Sequence, residues 1–246
     1  MTARRIGTLV LMAWVATSWT AHAAGPPYEV AVKRARLFGG SRGRLVFSEQ
    51  TIEYRTADQD EVRQWSYLDL KQVRVVSPTH IALATYEDQD FLKLGADRTY
   101  HFDVTEGAIG SDLVELLLAR VDRPIVTAVL PALPAAPRFR VPVKYQRFGK
   151  GSEGTLLLYD GGLAYVTERE VDARYWRFRD LYAVLPLDRY RLQIRTYEGD
   201  RGGETRPFTF ELKGDLSAQA YDAFWQAINR PVPHQRIEQP GQAVVP

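Results

Sequence analysis

The 246-residue chain has no cysteine, two methionines and four histidines. Without cysteine there is no disulfide framework, thiolate metal site or thiol nucleophile, so packing alone must hold the fold. The histidines are His22, His80, His101 and His234, and in the sequence each stands alone, without a second histidine or carboxylate at metal-ligand spacing. Neither a zinc site nor a histidine base is expected, and no cofactor is expected. Past the first 23 residues no apolar run approaches the ~20 residues of a membrane-spanning helix. The alternating segments are shorter than the ~9–11 residues of a membrane strand and carry charge on the would-be lipid face, which excludes an outer-membrane pore. Charge of one sign is lacking too. Residues 24–124 carry 13 basic and 16 acidic side chains and residues 125–246 carry 17 and 14. Nucleic-acid binding normally shows as a strongly basic domain and is disfavoured.

Arg4-Arg5, the apolar run Ile6 to Trp19 and Ala21-His22-Ala23 have the order of a cleavable secretory signal peptide over residues 1–23. The expected location is the periplasm or the medium, with no transmembrane segment after cleavage.

The rest of the chain contains one pattern twice. Val30-Ala-Val-Lys33, Gly40-Ser41-Arg-Gly43-Arg-Leu45, Tyr54, Arg63-Gln-Trp65, Asp69-Leu70 and Thr85-Tyr86-Glu87 recur 111 residues later. The second set is Val141-Pro-Val-Lys144, Gly151-Ser152-Glu-Gly154-Thr-Leu156, Tyr165, Arg174-Tyr-Trp176, Asp180-Leu181 and Thr196-Tyr197-Glu198. A register kept over that distance marks duplication of a whole folding unit. The division read from it is residues 24–124, a stiff Pro/Ala-rich linker over 125–137, residues 138–232, and a polar tail over 233–246.

Each unit shows seven short alternating runs, the period of half-buried strands. Each then ends in a stripe spaced three and four apart, the period of an amphipathic helix. Ile109, Leu113, Leu116, Leu117 and Val121 form the first stripe; Ala220, Phe224, Ala227 and Ile228 form the second. Asp160-Gly161-Gly162 predicts a hairpin whose glycines supply positive φ. With Gly-x-Leu opening the second strand and an aromatic-x-Asp-Leu step after the fourth, the chain resembles the pleckstrin-homology-like superfamily, in its bacterial or GRAM-type form. The resemblance implies a mainly β protein of two tandem seven-stranded barrels, each closed by a C-terminal helix, with Trp65 and Trp176 in equivalent core positions.

Several constellations are weighed against this frame. Gly39-Gly40-Ser41-Arg42-Gly43 matches Gly-x-Ser-x-Gly, but a nucleophile elbow needs a helix after the serine; a strand follows here, so a turn is expected. Arg63 with Asp69, and Arg174 with Asp180, read as structural ion pairs. The resemblance implies that basic residues of the first hairpin of each unit contact anionic groups. The candidates are Lys33, Arg36, Arg42 and Arg44 in the first copy and Lys144, Arg147 and Lys150 in the second. The leading functional expectation is a non-enzymatic exported binding module whose partner is a protein or an anionic envelope lipid or glycan. The alternatives are a carrier of a small apolar ligand and a hydrolase at the junction of the units, near Glu198 or Asp180.

Overall fold

The computed structural model describes residues 27–35, 40–88, 97–147, 149–199, 205–214 and 216–229. The expected signal peptide, the residues after 229 and Arg36 lie outside them.

The first repeat contributes Tyr28–Arg34 (β1), Arg42–Phe47 (β2), Thr51–Thr56 (β3), Arg63–Ser66 (β4), Leu70–Ser77 (β5), His80–Asp88 (β6), Asp97–Val104 (β7) and Ser111–Arg120 (α1). A short strand, Ile125–Thr127 (β8), follows. The second repeat contributes Phe139–Gln146 (β9), Ser152–Leu158 (β10), Gly162–Thr167 (β11), Arg174–Arg177 (β12), Leu181–Asp188 (β13), Arg191–Thr196 (β14), Arg206–Leu212 (β15) and Ala218–Ile228 (α2). The protein is mainly β, as the alternation predicts.

Strand order is the same in both repeats, β5-β6-β7-β1-β2-β3-β4 and β13-β14-β15-β9-β10-β11-β12. The ladder does not close into the expected barrels. In each repeat the fourth strand runs into a 3-10 turn, Tyr67–Asp69 or Phe178–Asp180, and the next strand starts beyond it without pairing back. The free side of β5 is instead taken by β8, which runs parallel to it with Val73, Arg74 and Val75 opposite Ile125, Val126 and Thr127. The other side of β8 meets β12 through Tyr175 opposite Thr127. Among the described residues fifteen strands thus form one continuous ladder, so the repeats share a sheet in place of two closed barrels. The residues responsible come from the segment read as linker. Ile125, Val126 and Thr127 are all buried, and an apolar β-branched run gains more from burial than from spanning a gap.

The cores remain separate. One cluster joins Val32, Leu45, Phe47, Trp65, Tyr100, Phe102 and the inner face of α1. The other joins Val143, Leu156, Trp176, Phe208, Phe210 and Phe224 of α2. Ser217 caps α2 by accepting from the Ala220 N–H at 3.1 Å. The Gly-x-Leu glycines serve close approach, since a Cβ on Gly43 would lie 2.2 Å from the Arg55 carbonyl oxygen and one on Gly154 2.3 Å from that of Val166. The Asp160-Gly161-Gly162 hairpin is present, with Leu158 opposite Leu163, but its glycines do not act as expected. Among the described residues positive φ is confined to Gly107 and Gly149. Gly162 is needed because a Cβ there would lie 2.3 Å from the Trp176 carbonyl oxygen.

Candidate functional site

Among the described residues the first-hairpin cations are interleaved with carboxylates. Lys33 lies opposite Arg42 on one side and Asp103 on the other. Arg44 pairs with Glu29 at 3.3 Å, with both side chains largely solvated, a geometry worth little. Lys144 lies between Glu153 and Glu211. Arg147 reaches the buried carboxylate of Asp172 at 3.1 Å. Lys150 lines an open groove of about 890 Å³ with Arg169, Lys213, Glu153 and Glu168, so its charges offset one another.

The polar side chains that the repeats share are bonded within each repeat. Trp65 donates its indole N–H to Glu87 Oε1 at 3.0 Å, and Trp176 donates to Glu198 Oε1 at 2.5 Å. Each indole packs on an aromatic of the seventh strand, Tyr100 at 4.8 Å and Phe208 at 5.1 Å between ring centres. The Tyr100 hydroxyl supplies Glu87 with a second donor. Phe208 has none, and Arg174 stands 3.5 Å from Glu198 Oε2 instead. Burial drives the Glu198 carboxyl above its ordinary pKa even with Arg174, Trp176, Arg206 and Arg74 opposing. Ser41 sits between the Tyr54 hydroxyl and Glu61 just before β2, as Ser152, which opens β10, sits against Tyr165. The described part of the Gly-x-Ser-x-Gly match, from Gly40, leads into a strand and not a helix.

Two sequence readings need correction. Arg63 and Arg174 do not pair with Asp69 and Asp180. Each bends back onto carbonyls of the 3-10 turn before it, Asp60 and Val62 or Val171 and Ala173. Asp69 instead caps Ser66 through the serine N–H and hydroxyl, and Asp180 takes Arg177. Nor do His80 and His101 stand alone. Cross-strand pairing brings the His80 Nδ1 within 2.8 Å of Asp103 and its Nε2 within 3.4 Å of His101. Linear spacing of 21 and 23 residues conceals neighbours that a hairpin makes. Among the described residues no group of three or more His, Asp or Glu side chains is arranged to hold a metal ion.

The junction of the repeats carries the features that sequence reasoning missed. Arg177 stands where the first repeat has Ser66. Its guanidinium makes a bidentate pair with Asp180 at 2.7 and 2.9 Å and donates to the carbonyls of Leu118, Val121 and Arg123 at 3.0, 2.6 and 2.9 Å. A planar donor fork thus clamps the C-terminal end of α1 onto the second repeat, where the helix dipole favours a cation. Gln72 donates to the Tyr197 carbonyl at 2.9 Å and Arg74 to that of Glu198 at 3.0 Å. Beside this clamp lies a pocket of about 320 Å³ lined by Lys71, Gln72, Tyr86, Arg123, Arg179 and Tyr197, with Pro124. The sequence signal was the Ser-to-Arg change beside two otherwise repeated residues, Trp176 and Asp180.

The second unusual surface is the free edge of β13. Tyr182, Leu185 and Leu187 are exposed there, at 54, 39 and 45%, and Tyr190 in the turn to β14 at 60%. The register of the duplication makes this edge the counterpart of the β5 edge that β8 covers, and among the described residues no strand covers it.

No protein-family model matches the chain, and no curated protein matches it. Among solved structures, the Spt16D Pob3N heterodimer resembles it at 6% identity and a TM-score of 0.27, covering 75% of this chain and 96% of that one. A likeness this loose carries no assignment of family or function. Among the described residues no helix is long and apolar enough to cross a membrane.

Proposed function

We propose that the protein is a non-enzymatic binding module, a duplicated PH-like unit of the GRAM type exported to the periplasm or medium. It captures an extended apolar segment of a protein partner along β13. The observation that carries this reading is β8 on β5. Extended apolar residues add in parallel to the free edge of the fifth strand, with Ala128 donating to the Val75 carbonyl at 2.9 Å and Val73 to that of Pro124 at 3.4 Å. Strand addition of this kind takes affinity from main-chain hydrogen bonds and selectivity from side-chain pockets. At β13 the same edge carries exposed Leu185 and Leu187. Pro186, in the place of Val75, offers a carbonyl but no N–H, so a bound segment forms one ladder bond fewer than β8. In sequence the duplication aligns residues 232–234 with β8 and puts Pro233 at the place of Val126. A proline there cannot donate to a ladder, which makes an external segment the fitting occupant.

The test uses the chain's own β8 as probe. A synthetic peptide with the sequence of residues 123–129, titrated into the purified protein, should bind saturably with NMR shifts concentrated on β13 and β14. Leu185→Arg should abolish those shifts and leave the melting temperature unchanged. Absence of saturable binding, or shifts confined to β5 and β12, would overturn the proposal.

A second reading, carriage of a small apolar ligand, is favoured by a cleft of about 480 Å³ whose apolar wall is Leu118, Leu133, Pro134, Tyr159 and Tyr175, with Glu115, Arg138, Asp160 and Arg177 at the same cleft. Native mass spectrometry of protein purified from its natural host should then show an added mass; a bare mass would dismiss it.

A further inference from the structure

The pocket at the junction gathers cations from three elements. Lys71 comes from β5, Arg123 from the turn between α1 and β8, and Arg179 from the 3-10 turn Phe178–Asp180. The Lys71 ammonium and the Arg123 guanidinium lie over the same Tyr86 ring, at 5.9 and 5.6 Å from its centre. Asp97 pairs with Lys71, and Asp122 pairs with Arg179 at 2.9 Å, but neither carboxylate lines the pocket. Asp122 is 80% exposed, so its hold on Arg179 is that of a solvated pair.

Asp97 and Asp122 offset Lys71 and Arg179 from outside the hollow, while no carboxylate pairs with Arg123 among the described residues, so an anion placed in the hollow meets a net positive charge. The Tyr86 ring occupies one side of Arg123 and leaves its N–H groups for an acceptor, while the Lys71 ammonium gives one donor to Asp97 and keeps two. The frame is fixed from both repeats. Gln72 is tied to the Tyr197 carbonyl, Arg177 to that of Arg123, and the Tyr197 N–H donates to the Asp180 carbonyl at 3.1 Å. Donors held in place before a ligand arrives lose little freedom on binding.

We propose that this junction pocket is an anion site that takes a phosphate or carboxylate group between Lys71, Arg123 and Arg179, with Tyr86 and Tyr197 flanking it. The site is distinct from the first-hairpin cations and from the β13 edge, and it bridges the two repeats.

Calorimetric titration of the purified protein with inorganic phosphate, and separately with acetate, tests the site. Sedimentation with vesicles of phosphatidylglycerol, against vesicles of phosphatidylcholine, tests whether the group is presented by a lipid. Binding in the free-ion arm alone assigns a soluble ligand, and binding to the anionic vesicles assigns a headgroup. In either case Arg123→Gln should weaken binding about tenfold or more, the loss of one charge-assisted hydrogen bond. That substitution keeps the carbonyl that Arg177 uses, so the junction stays intact; Lys71→Gln, with a similar expected loss, guards against misfolding of the first variant. Lys144→Gln with Lys150→Gln, which leaves Arg147 on the buried Asp172, should leave binding unchanged. The proposal is overturned if no arm shows saturable binding, or if the hairpin variant loses as much as Arg123→Gln.

Discussion

Glu87 and Glu198 hold the same place in the two repeats and accept from the same indole, yet their surroundings differ. The Glu87 side chain is 41% exposed, while that of Glu198 is 2% exposed beside Arg174. Removing one partner of a buried pair strands the other charge, so Glu198→Ala should cost about 3–5 kcal/mol. Glu87→Ala should cost about 1–2 kcal/mol, the worth of its hydrogen bonds. Urea unfolding of both variants checks the contrast, and equal losses would contradict it. His101 behaves oppositely to Glu198 with pH. Burial, with His80 and Arg74 nearby, holds its pKa below the ordinary 6.5, although Asp103 opposes the shift. The unfolded chain therefore binds a proton more readily than the folded one. The contribution of His101 to stability is present above pH 6.5 and is lost as pH falls from there through the folded-state value. His101→Gln should flatten the pH dependence of the urea midpoint in that window; an unchanged slope would refute the assignment.

At the scale of elements, β8 decides how the repeats meet. It has three residues, all buried, and serves as an inner strand of the ladder between β5 and β12. Proline in an inner strand removes a donor and has no solvent side to face. Val126→Pro should therefore lower amide protection along β5 and β12 in hydrogen exchange, while leaving β2 and β10 protected within their own repeats. Uniform protection everywhere would mean that the ladder through β8 adds nothing. These strands also show where the sequence was legible. Alternation gave each seven-strand unit, and the three-four spacing gave both helices, because one-sided burial imposes those periods on the residues themselves. Ile125-Val-Thr127 is too short to carry a period, and the prolines around it read as a linker.

At the scale of the molecule, the two repeats keep separate cores but share a ladder and a clamp. Arg177 is the central group, and a two-repeat chain joined this way should unfold as one unit, with calorimetric and van't Hoff enthalpies equal. Arg177→Ala leaves Asp180 buried and unpaired and three carbonyls without their donor. It should destabilise by about 3–5 kcal/mol and split the calorimetric peak in two. Arg177→Ser restores the residue of the first repeat, whose serine N–H and hydroxyl both bond the aspartate. The serine variant should recover about 1 kcal/mol of that loss. A single unshifted peak in both variants would show that the clamp is dispensable.

What the amino-acid sequence determined by itself was the repeated unit: the strand and helix order, the equivalence of Trp65 and Trp176, and the mainly β class. Those follow from local periodicity and from identities kept 111 residues apart. The tertiary structure alone decided what lies between the copies. It seated β8 on β5, left β13 uncovered, brought His80 to His101 and Asp103, and turned Arg177, Lys71, Arg123 and Arg179 towards one junction. These contacts join residues of different elements and different repeats. Their partners are set by packing geometry in three dimensions, which no spacing along the chain records.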